Sequence, residues 1–383
     1  MKTSRRSRPQ RRRGALASRI RARGQGRSRI RARKRIRRWL QAPRRTIGGT
    51  RKTNPASLAS KWAALAAQAG RELANRHPVP DGTDPHQWMN RLWNEWRQNR
   101  LWPAEAHIAA AARFVKGFGS VIGAVRDDTV LLPTAKSVAV VISVMNEEAT
   151  LPFILREVGR LPVDDCIIVI NGTSDTSFTI ARESTNAMIV HYDEPLGHDV
   201  GRALGAKLTD AEMVVFLDGD MPVRAEQLIP FLQSIERGAD VALNDIDPFL
   251  GLFAHRDSVT VMKEFLNRAL GRADLAANSM TAVPHVLSRR AIRAIGPARL
   301  AVPPYAQALA IREGLKVTAP ASVDVIRNNR PRKNNMGFNN EVAGLIIGDH
   351  VEALVRLTKQ AGPRLHTPDR MRDRNAARGG ESG

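Results

Sequence analysis

The stretch SVAVVISV, residues 137–144, is an almost unbroken run of β-branched and other apolar residues. A run without a polar face is typical of a strand that is buried on both sides in a parallel sheet. From here to VVFL at 214–217, apolar strand-like runs alternate with stretches of helical spacing. The alternation predicts an α/β fold, with a mostly parallel, Rossmann-like sheet flanked by helices.

Before the sheet, residues 55–130 predict a small helical region that is rich in alanine and tryptophan. Trp88, Leu92, Trp93 and Trp96 share one helix face, which we interpret as a packing surface, either on the sheet domain or for a partner. The sheet domain itself is expected over 136–330, with a long helix near 256–270 and strands near 279–285 and 316–326. A helical extension over 331–362 and a disordered tail over 363–383 complete the prediction.

The N-terminal tail carries nearly all of the net charge of +23. Residues 1–52 hold 22 of the 60 Lys and Arg and no acidic residue, so the remaining 38 almost balance the 37 acidic residues. With so little apolar surface, residues 1–54 are predicted to be a disordered polybasic tail. Its charge fits an anionic membrane surface, a polyanion such as a cell-wall polymer, or nucleic acid, and a plain solubility tail is the alternative.

The apolar segments and the single cysteine bear on localisation. No run of about 18 apolar residues is present, and no apolar stretch of signal-peptide type follows the early charges. Cys166 lies within the apolar run CIIVI, where we interpret it as core filler. These features predict a cytoplasmic protein, with peripheral attachment to the inner membrane face as a further hypothesis.

Polar residues follow three of the predicted strands, at the sheet edge where such folds bind ligands. They are 145–148, 171–175, and the pair Asp218 and Asp220 with Gly219 between them. Hard carboxylate oxygens at this spacing suit Mg²⁺ or Mn²⁺, completed by water and substrate phosphates. The sequence therefore predicts a divalent metal site after the fourth strand.

An anion site is predicted beside this metal. In LGHDVGRALGA, residues 196–206, Gly197, His198 and Arg202 fall at the start of a helix. A helix N-terminus with an arginine one turn inside is suited to phosphate. A metal next to a phosphate site predicts a nucleoside diphosphate as ligand.

Four segments in this order, VAVVISVMNEEATLPFIL, IIVINGTSDTS, LGHDVGRALGA and VVFLDGDM, resemble the nucleotide half of family 2 glycosyltransferases with the GT-A fold. The resemblance covers about 137–221 well and extends loosely to 329. It implies transfer of a sugar from a nucleoside-diphosphate sugar, UDP- or GDP-linked, with Mn²⁺ or Mg²⁺ as cofactor. The acceptor is open, a cell-envelope lipid or polymer being one hypothesis.

The resemblance also implies roles for individual residues of the donor site. Asp220 would ligate the metal, and Asp218 would contact the metal shell or the ribose. Asn146 and Glu147 would line the nucleotide pocket.

The base of the nucleotide would lie near Asn171 and Asp175. Many family members have an acidic pair where this chain has Ile170 and Asn171. This departure leaves the choice of nucleotide open.

The acceptor half departs further from the family. Many members carry a Glu-Asp pair whose aspartate is the general base, and Pro304 and Tyr305 stand there in this chain. An inverting transfer needs a group that takes the proton of the acceptor hydroxyl. Asp245 and Asp247, after a predicted strand, are the catalytic candidates, and Asp274 is a further one.

Two histidines are candidate additional metal ligands. GT-A enzymes often supply a histidine from late in the chain, and His285 and His350 are the residues that fit. An ordinary polar contact is the alternative for each.

Two other functions remain as alternatives. A GT-A-fold protein that has lost catalysis could act through its basic tail as a nucleic-acid-binding or structural protein, which the missing Glu-Asp pair favours. A sugar-1-phosphate nucleotidyltransferase is disfavoured, because SVMNEEATL has no glycine-rich loop after the first strand.

Overall fold

The computed structural model describes residues 55–98, 102–325, 341–367 and 369. The predicted tail at 1–54 and most of the one at 363–383 lie outside the described residues.

Within the described residues the chain forms helices and strands in a largely alternating order. The α-helices are α1 Pro55–Arg76, α2 Pro85–Arg97, α3 Ala104–Ile122, α4 Leu151–Val158, α5 Ser177–Ser184, α6 Val200–Lys207, α7 Ala225–Glu236, α8 Ser258–Ala269, α9 Arg289–Ile295, α10 Pro303–Arg312 and α11 Glu341–Ala361. The strands are β1 Val138–Val144, β2 Asp165–Asn171, β3 Met188–Tyr192, β4 Met213–Asp218, β5 Val241–Asn244, β6 His285–Ser288 and β7 Val317–Ala321. Short 3₁₀ turns lie at Asp247–Phe249, Phe253–His255, Ala273–Leu275 and Pro297–Ala301.

The strands form one mixed, mostly parallel sheet in the order β3-β2-β1-β4-β6-β5-β7. β1 to β4 are parallel, β6 runs antiparallel to both β4 and β5, and β5 pairs in parallel with β7. This confirms the fold class predicted from the sequence. All strands except β6 end at the same sheet edge, so the polar residues that follow them are brought together.

The run SVAVVISV forms the central strand because its alternate side chains enter two cores. Val138, Val140 and Ile142 pack with α4, α5 and α7 on one face, whereas Ala139 and Val141 pack with α6, α9 and α10 on the other. All five side chains are fully buried. Burying a valine or isoleucine contributes about 1.5–3 kcal/mol, which explains the absence of a polar face.

Two glycines let α6 lie directly against β1. A Cβ at Gly205 would stand 2.2 Å from Cγ1 of Val141, and one at Gly201 would stand 2.8 Å from Oγ of Ser143. Any side chain at these positions would push the helix away from the strand. The contact places Arg202, next to Gly201, close to the edge where β1 and β4 end.

The tryptophans of the N-terminal helices pack into a core formed by α1, α2 and α3. Trp93 is fully buried there, and Trp88 and Trp96 are partly buried. Side chains of α2 also bond the segment that leads into β1: Asn90 Oδ1 accepts from the Leu132 N–H at 2.8 Å, and Arg97 donates to the Pro133 carbonyl. The aromatic stripe is therefore covered within the chain and joined to the sheet.

The strand predicted at 279–285 is wrong, since β6 begins only at His285. The backbone N–H groups that a strand would use for pairing are bonded elsewhere. The Met280 N–H donates to Gln307 Oε1 at 2.8 Å, and the Ala282 N–H donates to the Ser279 carbonyl at 3.0 Å. Pro284 has no N–H to give. The helix near 256–270 is confirmed as α8, and the strand near 316–326 is shortened to β7.

We expect Gly205→Ala to lower the free energy of unfolding by about 1–3 kcal/mol, because the added methyl group overpacks the α6–β1 contact. Urea unfolding followed by circular dichroism measures it. The matched control is Gly348→Ala in α11, where nothing lies within 4 Å of the added Cβ. That helical substitution should leave stability equal or raise it by up to about 1 kcal/mol. Equal effects of the two variants would contradict the packing argument.

Candidate functional site

Arg202 on α6 lies at the centre of the site, with its side chain 5% exposed. Its Nη1 is 2.6 Å from Asp199 Oδ1, and its Nη2 lies 3.0 and 3.2 Å from the two carboxylate oxygens of Asp218. Nη1 also donates to the Met280 carbonyl at 3.1 Å. Burial acts to lower the pKa of Arg202, but Asp199 and Asp218 outweigh it and raise that pKa, so the guanidinium stays charged.

The sequence prediction missed Asp199, the residue that precedes α6. Its backbone is left-handed, with φ at 62°, and its carboxylate meets Arg202 one turn into the helix. Burial raises the pKa of Asp199, with Arg202 acting against it and Asp218 adding to it. The i, i+3 spacing of an acid and an arginine in HDVGR is the signal that could have found it.

The loop that holds the predicted metal ligands is pinned at Gly219. The Gly219 N–H donates to the Ser143 carbonyl at 2.7 Å, and its own carbonyl accepts from Thr150 Oγ1 at 2.6 Å. A Cβ at this glycine would stand 3.1 Å from Glu147 Cγ. Asp218 and Asp220 on either side are both partly exposed, so their carboxylates are accessible from solvent.

The pair of aspartates fits a metal that takes its other ligands from the substrate. Within the ranges that the structure covers, no group of three or more His, Cys, Asp or Glu side chains could hold a metal ion. Mg²⁺ is commonly bound by only one or two carboxylates together with substrate phosphates and water. Asp218 and Asp220 have the hard oxygen atoms that such a site requires, and Arg202 fixes the orientation of Asp218.

Asn146 and Asp175, expected at the nucleotide, join the loops that follow β1 and β2. Asn146 Oδ1 accepts from the Ser174 N–H at 2.8 Å, and Asp175 Oδ2 accepts from the Glu148 N–H at 3.0 Å. Burial acts to raise the pKa of Asp175, but hydrogen bonds from Ser177 and Glu148 outweigh it and hold that pKa below its usual value. Both residues hold the two loops together through these bonds, and their contact with a ligand stays a prediction.

Glu147 is buried beneath the loop at Gly219. Its side chain is 3% exposed, and its N–H donates to Ser177 Oγ at 2.9 Å. It therefore packs against the loop that carries the predicted metal ligands.

Asn171 holds the loop between β3 and α6. Its Oδ1 accepts from the Leu196 N–H at 2.6 Å, and its Nδ2 donates to the Gly197 carbonyl at 2.9 Å. Gly197 and His198 beyond it are exposed, and a Cβ at Gly197 would meet nothing within 4 Å. This amide therefore fixes a loop whose outer surface is free for a ligand.

The two predicted metal-binding histidines do not form a three-ligand group with the aspartates. His285 is 2% exposed and stacks on Phe216 at 5.1 Å. Burial, and then Arg202, lower the pKa of His285 to about 3. His350 is fully buried on α11, and burial lowers its pKa to about 4.

Asp245 and Asp247, the predicted catalytic acids, line a cleft of about 570 Å³ beyond the end of β5. Asp245 Oδ1 accepts from Asn278 Nδ2 at 3.0 Å, and burial raises the pKa of Asp247. Asp274, the further candidate, lines the same cleft. β5 is two strands away from β4, so the cleft lies about 10 Å across the sheet from Asp218.

Pro304 and Tyr305, which stand where the resemblance implies an acidic pair, are buried in the first turn of α10. Tyr305 belongs to an apolar cluster with Leu266 of α8 and Leu357 of α11. The guanidinium of Arg356 lies over the tyrosine ring, 4.9 Å from its centroid. This turn therefore packs helices together and presents no acid.

Two further charged residues near the site were missed from the sequence. Burial raises the pKa of Asp349 on α11 to about 6, with Asp199 and Glu352 adding to the shift. Burial lowers the pKa of Lys263 on α8 to about 8, with Arg202 acting in the same direction. Neither residue belongs to a motif, and tertiary packing alone brings them to α6.

Part of the sequence is similar to known proteins. Residues 139–287 match the model of glycosyl transferase family 2. A 4,4'-diaponeurosporenoate glycosyltransferase from Staphylococcus haemolyticus (strain JCSC1435) is 26% identical over 136 residues, which are 34% of this chain and 36% of that relative. The chain thus spans little more than a third of the relative's length.

Two solved structures of glucosyl-3-phosphoglycerate synthase from Mycobacterium tuberculosis are also similar. One, with Mn²⁺, UDP and phosphoglyceric acid, is 16% identical with a TM-score of 0.44 and covers 61% of this chain and 80% of that one. The other, with UDP, is 17% identical with a TM-score of 0.41 and covers 57% and 80%. The match of residues 139–287 to this family model agrees with the resemblance seen in the motifs.

The raised pKa of Asp349 makes stability depend on pH. Because the folded pKa lies above the unfolded value, this group's contribution is present at about pH 4 and is lost as the pH rises through about 6. We expect Asp349→Asn to unfold at a higher urea concentration than wild type at about pH 7.5, with a much smaller difference at about pH 4.5. The control is Asp193→Asn, whose side chain is 93% exposed. A gain for Asp349→Asn that is equal at both pH values would contradict the assignment.

Proposed function

We propose that this protein is a metal-dependent glycosyltransferase that moves a sugar from a nucleoside-diphosphate sugar, UDP- or GDP-linked, to an acceptor hydroxyl. The observation that carries the proposal is the pair Asp218 and Asp220 at the end of β4, with Asp218 held by the buried Arg202. The family match over 139–287 supports it. Fold alone would not, because one fold serves many functions.

Asp218 and Asp220 are the residues that would hold Mn²⁺ or Mg²⁺, which when bound neutralises charge that builds on a leaving diphosphate. Arg202 keeps Asp218 in one orientation through two hydrogen bonds, so little rearrangement is needed on binding. Asn171 fixes the loop at Leu196 and Gly197, whose exposed surface faces the donor in this proposal.

The base that takes the acceptor proton is proposed to be Asp247, with Asp245 beside it. Both line the cleft beyond β5, and burial raises the pKa of Asp247, which makes its carboxylate a better proton acceptor. An acceptor hydroxyl in this cleft would approach a donor sugar bound at the end of β4 from the side.

The acceptor is proposed to lie on an anionic surface of the cell envelope, as a lipid or a polymer. The support is the charge of residues 1–52, which hold 22 basic residues and no acid. Among the described residues no helix is long and apolar enough to cross a membrane. Attachment through many weak charge contacts would be sensitive to salt.

We expect Asp220→Ala to abolish metal-dependent nucleotide binding, because it removes one of the two oxygen ligands that the chain supplies. Titration calorimetry with UDP and with GDP, each with Mn²⁺ and with a chelator, measures it. Asp193→Ala, an exposed aspartate after β3, is the control and should bind as wild type does. If folded wild type binds neither nucleotide, the enzyme proposal fails, and the catalytically inactive alternative favoured by Pro304 and Tyr305 takes its place.

Deletion of residues 1–52 should leave nucleotide binding unchanged and remove binding to vesicles that contain anionic lipid. Sedimentation with anionic and with neutral vesicles at several salt concentrations measures it, and binding of the full chain should fall steeply with salt. Equal binding of the full chain to both vesicle types would contradict the membrane hypothesis. Salt-sensitive binding to duplex DNA in its place would favour the nucleic-acid alternative.

A further inference from the structure

One turn of α8 is held against the segment that contacts Arg202. Asn267 Nδ2 donates to the Asn278 carbonyl at 3.0 Å, and its Oδ1 accepts from Gln307 Nε2 at 2.7 Å. Gln307 in turn accepts from the Met280 N–H, and the Met280 carbonyl accepts from Arg202. Lys263, one helical turn before Asn267, is thereby carried to the side of α6.

The ammonium group of Lys263 has no ion-pair or hydrogen-bond partner among the residues that the structure describes, although its side chain is only partly exposed. Asp257 is the acid that raises its pKa, but that carboxylate caps α8 by accepting from the Thr260 N–H at 2.7 Å. Arg202, in contrast, has Asp199 and Asp218 as direct partners. A partly buried cation without a counter-ion is costly, so the position favours an anion.

A second observation comes from α11, on another side of Lys263. His350 Nδ1 lies 2.6 Å from the Ile346 carbonyl, so this nitrogen carries the proton and Nε2 presents a lone pair. That Nε2 is buried without a hydrogen-bond partner, and Lys263 is one of the charges that act on the pKa of His350. The Nε atom of Arg202 is likewise buried without a partner. These two atoms belong to the residues whose charges interact with that of Lys263.

We propose that Lys263, together with Arg202, binds a phosphate group beside the two aspartates at the end of β4. Lysine is a common phosphate ligand, acting as a compact point charge. The Nε2 lone pair of His350 would accept from a hydroxyl or a protonated phosphate oxygen of the same ligand. The origin of the phosphate rests on the proposed function: it is either the diphosphate of the donor or a phosphate carried by the acceptor.

The test uses full-length wild type, Lys263→Met, Lys263→Arg and the control Lys359→Met, an exposed lysine on α11. Calorimetry measures inorganic phosphate alone, UDP and GDP each with Mn²⁺, and phosphate added after saturation with the nucleotide. Lys263→Met should lower the affinity for a phosphate-bearing ligand about 10-fold or more, which is the effect expected for losing a hydrogen bond to a charged group. Lys263→Arg and Lys359→Met should retain binding, and thermal melts confirm that each variant is folded.

The two sources of phosphate give different results. Weaker nucleotide binding by Lys263→Met assigns the subsite to the donor diphosphate. Unchanged nucleotide binding, with loss of phosphate binding in the nucleotide-saturated protein, assigns it to the acceptor. If wild type binds phosphate through Lys263 but binds no nucleotide, the phosphate subsite stands and the proposal of a nucleotide donor fails. The inference is overturned if folded Lys263→Met binds phosphate and both nucleotides as tightly as wild type does. It is also overturned if wild type binds no inorganic phosphate and Lys263→Met binds both nucleotides as wild type does.

Discussion

The buried guanidinium of Arg202 is the interaction on which the rest of the site depends. It bonds Asp199 before α6, Asp218 at the end of β4 and the carbonyl of Met280 before β6. Three segments that are distant in sequence therefore meet at one cation. Removing one partner of a buried ion pair costs about 3–5 kcal/mol, because the remaining charge is left without compensation. Asp199 and Asp218 can lie close together because the guanidinium of Arg202 is between them.

Arg202 can occupy that position only because of the helix surface on which it sits. Gly201 and Gly205 allow the backbone of α6 to lie directly against β1, and the space at Gly205 is too small for any side chain. Continuous β-branched residues fill the strand, since both of its faces are covered. Local sequence thus determines the distance between helix and strand, and that distance determines where the charge lies. The contact between α6 and β1 therefore contributes both to the stability of the fold and to the position of Arg202.

The sequence was sufficient for the features that local patterns encode and insufficient for those that packing creates. The alternation around β1 predicted the sheet, and the spacing of Asp218, Asp220 and Arg202 predicted their common edge. Lys263 and Asp349 could not be found, because only the tertiary contacts of α8 and α11 bring them to α6. The strand predicted at 279–285 was wrong because a distant glutamine oxygen and a serine carbonyl accept the N–H groups of Met280 and Ala282 in place of a neighbouring strand.

Tyr305 shows how one position can serve either chemistry or architecture. The resemblance implies an acidic residue at this position, whereas this tyrosine lies in an apolar cluster under Arg356, and α11 packs against it. An ionised side chain at this position would have to leave the apolar cluster. The helix α11, which carries His350 and Asp349, would then lose part of the surface on which it packs. The fold therefore makes a base at this position and a docked C-terminal helix mutually exclusive.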